Sequence, residues 1–349
     1  MLRGKTRLLV KNFAVHCASN SLAQHMASRL HRDKSFFLMY HGVSRDDEEL
    51  EATTVVRRGE FRQQMGFLKQ WFGCLTTEEV LNRDSEHQER PGAVVTFDDG
   101  YANNLEIALP ILEEFEIPAI IYVTTGNACE RRLFWPDKIW MAVKRSKIPS
   151  INLKGIADSL GTYTFRQDGA LWQDDVHKLN EDIKRINPSR RENIVDEVVA
   201  RFKDAPGAKP FEVEVENNVF TPLNPDQIAE LSAHPLITIG AHSHCHNLLN
   251  QIPLSQAEES IRTSKEILER LTGRTIEHFS YPNGNLTDDI IGVVKRMGFK
   301  SAVTVPTGFF KYGDDPYRIP RYMVGPNMSM DLFKARMTGI FSLAKRLGF

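Results

Sequence analysis

The chain has 349 residues, 41% of them hydrophobic, with 44 basic and 45 acidic side chains and a formal net charge of −1. Such a length buries one large core or two medium ones, and the balanced charge argues against a general nucleic-acid binder, which is strongly basic. Four scattered cysteines, Cys17, Cys74, Cys129 and Cys245, form no CxxC pair. They indicate neither a disulfide framework nor a cysteine-based zinc site, and a reducing, cytoplasmic setting is the simpler expectation.

Residues 1–34 carry seven Lys or Arg and one acid. Leu9, Phe13 and Cys17, then Leu22, Met26 and Leu30, recur at helical spacing, so this segment reads as basic and helical. Its first apolar stretch is cut by Lys11 and Asn12, which does not fit a cleaved signal peptide. No apolar run approaches the ~20 residues of a spanning helix.

From residue 35 the pattern changes. Phe36–Tyr40 reads as a buried strand ending at His41-Gly42, and Glu60–Leu81 as helical. Ala93–Phe97 is a second strand, Asn104–Phe115 an amphipathic helix and Ile117–Val123 a third strand. This alternation implies a parallel sheet with helices outside it. Residues 127–222 break the rhythm. They are charged, carry Trp135, Trp140 and Trp172, and read as a mostly helical insertion. The alternation resumes with a helix at 226–232, a strand at 236–240 and a helix at 255–271. A strand at 278–281, a helix at 287–297 and a strand at 301–305 follow, then an extended Tyr317–Arg321. In the tail, 327–349, Phe333, Met337, Ile340, Phe341, Ala344 and Leu347 share one helical face. Lys334, Thr338, Ser342 and Lys345 share the other. That amphipathic helix packs on the core or lies on an anionic membrane.

Two stretches carry the chemistry. Val94-Val-Thr-Phe-Asp98-Asp99-Gly100 ends an apolar strand with adjacent carboxylates. Ile239-Gly-Ala-His242-Ser-His244-Cys245-His246 ends another with imidazoles four residues apart. Strand ends are where sites on such sheets are built. One carboxylate with two histidines is a ligand set for a catalytic divalent metal, zinc first among them. The second carboxylate is then free to act as a base. His242 and His246 would share one face of a helical turn, His244 would point elsewhere, and Cys245 reads as a small buried residue rather than a ligand. No G-x-S-x-G motif supports serine chemistry.

Thr96-Phe-Asp-Asp-Gly100 with His242-Ser-x-x-His246 resembles the first two motifs of the polysaccharide deacetylases, the NodB-like carbohydrate esterases, over residues from about 36 to 325. The resemblance implies a distorted (β/α) barrel of about seven parallel strands and a catalytic domain at 35–326. It implies hydrolytic removal of N-acetyl, sometimes O-acetyl or formyl, groups from sugars. By position, Asp98 is the base, and Asp99, His242 and His246 hold the metal.

The third family motif departs from its usual form. It reads Ser280-Tyr-Pro-Asn-Gly284, with Ser280 in place of the arginine that orients the base. Asn283 still offers a backbone N–H to an oxyanion, and Arg318 or Arg321 would supply the missing guanidinium. The family's late histidine is absent, since none follows His278. Met39-Tyr-His41-Gly42 resembles the early segment of a permuted branch that includes deacetylases of biofilm poly-N-acetylglucosamine. There an N-terminal histidine is the acid, a role that falls on His41. The expected substrate is an acetylated amino-sugar glycan of cell-surface polysaccharide biosynthesis. The alternatives are deformylation or deacetylation of a lipid-linked sugar by a protein peripheral at the inner membrane face, and a carbohydrate-binding pseudoenzyme.

Overall fold

The computed structural model describes residues 20–48, 52, 54–82, 88–166, 171–326 and 328–338, the side chains of 171–173 excepted. Nine strands form the main sheet: β1 (Lys34–Tyr40), β2 (Gly73–Cys74), β3 (Gly92–Phe97), β4 (Ala119–Val123), β5 (Ile237–Ala241), β6 (His278–Ser280), β7 (Ser301–Val303), β8 (Phe310–Lys311) and β9 (Arg321–Met323). Their order is β7-β6-β5-β4-β3-β1-β8, with β2 beside β3 and β9 beside β1. Every pairing is parallel except that of β8 with β1.

The sheet closes on itself. Arg321, Tyr322 and Met323 pair with Phe37, Leu38 and Met39 of β1. Two residues earlier, Ile319 bridges Val303 of β7. The 319–323 segment therefore joins both edges, and seven parallel strands (β1, β3, β4, β5, β6, β7 and β9) make a distorted (β/α) barrel.

The strands read as nearly unbroken apolar runs because both faces are covered. In β1, Phe36, Leu38 and Tyr40 face the surrounding helices, while Phe37 joins Val94, Ile120, Tyr122, Val303 and Ile319 inside the barrel. The short Thr77–Leu81 helix, opened by a Thr76–Glu79 capping box, brings Val80 and Leu81 against that interior cluster. The expected single helix over 60–81 is thus two, Arg58–Trp71 and Thr77–Leu81, with β2 between them.

The 127–222 stretch keeps a core of its own, built around Ile139, Trp140, Phe165, Val176, Phe202 and Phe220. Its helices are Trp135–Ser146, Leu171–Lys184 and Pro188–Lys203. Between the first two lies an antiparallel ribbon, Ser150–Asn152 against Thr162–Thr164, which helical reading missed. Those strands are three residues long, too short for a period-2 signal. Trp140 is buried in this core and Arg191 lies over Trp135 at 5.7 Å. Trp140 is therefore not free to stack on a sugar, and the Trp172 side chain lies outside the described residues.

At the ends, Ser21–Leu30 and Met330–Met337 are helical. Phe333 packs edge-on against Phe67, so the described part of the tail packs on the core. Thr338, expected on the polar face, is buried and donates to Ala335 O. The remaining tail positions, 339–349, and the first nineteen residues lie outside the described residues.

Candidate active site and metal triad

The C-terminal ends of β1, β3, β4 and β5 are drawn together by hydrogen bonds that run one step past the strands. Asp98 N–H donates to Tyr40 O and His242 N–H to Val123 O, both at 3.0 Å. Asp99 has a left-handed backbone, φ 72°, and its carbonyl accepts from Thr124 N–H at 3.2 Å. That turn throws the two adjacent carboxylates in different directions. Gly100 must be glycine: its φ is 81°, and a Cβ there would stand 3.2 Å from Val123.

Asp99 meets the two histidines. Its Oδ1 lies 3.6 Å from His242 Nε2 and 3.3 Å from His246 Nε2. The three ligand atoms are mutually within 4.8 Å, yet Asp99 Oδ1 is buried with no hydrogen-bond partner. A buried carboxylate oxygen facing two imidazole nitrogens without bonding either fits a divalent metal. His242 Nδ1–H donates to Ser280 O at 2.8 Å, which leaves Nε2 as the lone pair toward Asp99. Burial pushes the His242 imidazole down to about 4, so it stays neutral, as a metal ligand must. Burial alone would raise the Asp99 carboxyl, but the neighbouring imidazoles of His246, His41 and His242 outweigh it and hold the group well below the usual carboxylate range.

The expected helical turn carrying His242 and His246 does not exist. Ser243 and His246 are both left-handed, φ 62° and 51°. His246 N–H is capped by Ser243 Oγ at 3.1 Å, so a tight loop, not helical periodicity, brings the imidazoles together.

Beside the triad, Asp98 is clasped by Arg321. Nη1 donates to Oδ1 at 2.7 Å and Nη2 to Oδ2 at 2.6 Å. Arg321 is fully buried and is held from behind by Thr304 O at 3.0 Å, Thr96 Oγ1 at 3.2 Å and Ser280 Oγ at 3.2 Å. Burial opposes ionisation of Asp98, but the Arg321 charge outweighs it and keeps the carboxyl below its ordinary value. Of the two arginines offered by the sequence, Arg318 faces outward to Asp288 and Asp315.

A family description, polysaccharide deacetylase, matches residues 85–167 and 207–302. The chain belongs to the polysaccharide deacetylase family. The deacetylase is 26% identical over 302 residues to YxkH of Bacillus subtilis (strain 168), a protein ascribed to the polysaccharide deacetylases, covering 85% of this chain and 74% of that one. IcaB from Ammonifex degensii shares its fold with a TM-score of 0.55 at 18% identity, over 88% of this chain and 97% of that one. The Streptococcus pyogenes deacetylase PplD does so with a TM-score of 0.54 at 16% identity, over 87% and 98%. A de-N-acetylase from Aggregatibacter actinomycetemcomitans gives 0.52 at 16%, over 86% and 99%.

His41 follows β1 of the deacetylase, beside β3 and its aspartates. Its backbone carbonyl accepts from Asn104 Nδ2 at 2.8 Å, and its Nδ1 is buried without a hydrogen-bond partner. Asn283 lies in the turn after β6 with φ 56°, and its side chain accepts from Lys184 Nζ of the insertion at 3.2 Å. The next residue, Gly284, has φ 71°, and a Cβ on it would come within 2.4 Å of Val305. His244 stands apart from the triad, with Nδ1 against Thr125 Oγ1 at 2.9 Å. Cys245, expected to be buried, is exposed, because the loop turns its middle outward.

Sequence reading missed the wall of this site. Phe134 of the insertion stands edge-on to His246, centroids 5.2 Å apart. Tyr101 Oη–H donates to the buried Asp137 Oδ2 at 2.9 Å. Tyr101 directly follows the Asp-Asp-Gly motif and was available as a signal. Phe134 and Asp137 carried none, since they lie in the insertion.

Proposed function

We propose that this deacetylase removes N-acetyl groups from an amino-sugar glycan of the cell surface or its precursor, using zinc held by Asp99, His242 and His246. The observation that carries the reading is the pairing of two adjacent aspartates with different partners: Asp99 with two imidazoles, Asp98 with a buried guanidinium. Mixed imidazole–carboxylate sets suit zinc and its neighbours. When bound, such an ion polarises the scissile carbonyl and acidifies a water. Asp98, kept ionised and oriented by Arg321, takes the proton of the attacking water. The backbone N–H of Asn283 supports the oxyanion. His41, whose Nδ1 has no partner of its own, protonates the departing nitrogen.

The test pairs metal content with acetate release on a chitooligosaccharide. Asp98→Asn keeps the shape of the carboxylate but cannot accept the proton. It should retain zinc and lose turnover by ~10² or more, the scale of a lost general base. Turnover close to wild type would reject Asp98 as the base.

A lipid-linked sugar at a membrane is the second reading, and one feature favours it. Leu22, Met26 and Leu30 are 71%, 64% and 69% exposed at four-residue spacing along Ser21–Leu30, a helix with no acidic residue. Such a face suits an anionic bilayer surface. No helix among the described residues is long and apolar enough to cross a membrane. Flotation with anionic vesicles, lost in Leu22→Glu/Met26→Glu, would support peripheral contact, and no flotation of the wild type would dismiss it.

A further inference from the structure

The opposite end of the barrel, at the N-terminal ends of its strands, holds a second cluster. Glu277 precedes β6 and His278 opens it. Glu78 stands in the first turn of the Thr77–Leu81 helix, against the N-terminal end of the barrel. Ligand atoms of Glu78, Glu277 and His278 all lie within 4.8 Å of one another.

The cluster is more than charged surface. His278 is only 4% exposed. Its Nδ1 is tied to Ser301 Oγ at 2.9 Å, and among the described residues its Nε2 makes no hydrogen bond. A buried imidazole anchored through one nitrogen, with the other free, is how His242 is held at the catalytic end. Glu78 Oε2 is likewise buried without a partner. A plain ion-pair cluster has no use for a buried imidazole anchored at one nitrogen and open at the other.

We propose that Glu78, Glu277 and His278 form a second divalent-cation site, structural in role and zinc-like in preference. An ion there ties the helix at the foot of the barrel to β6. Imidazole with two carboxylates is a donor set for such ions. The anchoring hydroxyl of Ser301 supplies the outer-shell support that metal-binding histidines use.

Lys300 is the resident competitor. Its Nζ lies 3.0 Å from Glu277 and 3.4 Å from Glu78, on a side chain that is 47% exposed. The ammonium balances the carboxylates when no ion is bound. Its flexible stem lets it swing into solvent when one is.

Equilibrium dialysis against buffered zinc tests the site, with bound metal measured per folded chain. Wild type should hold two equivalents, and Asp99→Ala/His246→Ala one. Adding Glu277→Gln or His278→Ala to that pair should remove the last one. Adding Lys300→Met should instead tighten it. Zinc should raise the melting temperature of Asp99→Ala/His246→Ala, and Glu277→Gln should abolish that rise. Glu277 is partly exposed, so its variant reports even if His278→Ala does not fold. No metal on Asp99→Ala/His246→Ala, metal that survives Glu277→Gln, or weaker binding in Lys300→Met would each overturn the proposal. One equivalent in both wild type and Asp99→Ala/His246→Ala would sink the Asp99 triad and leave this site standing.

Discussion

Arg321 grips Asp98 through two parallel hydrogen bonds of 2.7 and 2.6 Å, although 223 residues separate them along the chain. The pair lies on opposite sides of the barrel's closure. Asp98 follows β3, while Arg321 opens β9, the strand that seals β1 to β7. Closing the barrel and orienting the carboxylate are therefore one structural event.

Arg321→Ala should damage both. It strands a buried carboxylate, which costs about 3–5 kcal/mol when one partner of a buried pair is removed. It should also raise the Asp98 carboxyl pKa and move the acidic limb of the rate profile upward. Arg321→Lys should recover stability better than activity, because an ammonium cannot present two parallel donors. Urea unfolding and pH–rate profiles of both variants decide this; equal activity in Arg321→Lys and wild type would show that a point charge suffices.

The proposed metal triad should be intolerant and its neighbour tolerant. Asp99→Ala, His242→Ala and His246→Ala should each lose the metal of the Asp99 site, since three protein ligands leave little to spare. His244→Ala should keep it, because that ring faces Thr125 instead. Metal analysis of the four variants, each also carrying Glu277→Gln to silence the second cluster, separates them. Loss in His244→Ala equal to the others would overturn the ligand set.

His41→Ala should bind metal normally and lose amide hydrolysis. It should lose far less on an activated aryl acetate, whose phenolate leaves without a proton. Comparable losses on both substrates would make His41 a positioning residue. An undiminished amide rate would remove it from the reaction.

Acid should destabilise the metal-free protein in a defined window. His242 and His278 are both held down to about 4, against about 6.5 in an unfolded chain. Between those values the unfolded state binds more protons, so stability is full above about pH 6.5 and falls as pH drops toward 4. Each group is worth at most about 3 kcal/mol across the window. Urea midpoints in EDTA at pH 7.5 and 5 measure it, and His278→Gln should flatten the dependence. A wild-type midpoint unchanged between these values would contradict the buried neutral imidazoles.

Local patterns alone placed most of the barrel strands, because strands buried on both faces are written as apolar runs: Phe36–Tyr40, Ala93–Phe97 and Ile117–Val123 needed no partner to be recognised. The Asp98-Asp99-Gly100 and His242–His246 motifs were likewise legible as residue types at strand ends, but the left-handed loop that brings His242 and His246 together was not, since their spacing reads as a helical turn. Short pieces escaped notice. The ribbon at 150–164 and the break at 72–76 are stabilised by contacts distant in sequence, not by periodicity. Tertiary structure alone chose Arg321 over Arg318, since Arg321 opens β9 and is fully buried against Asp98, while Arg318 lies in the bend before that strand and faces Asp288 and Asp315. It also set Phe134 against His246 and turned Cys245 outward. Sequence spacing encodes which residues can share an element; which elements meet is decided by closure of the barrel, and that depends on all seven strands at once.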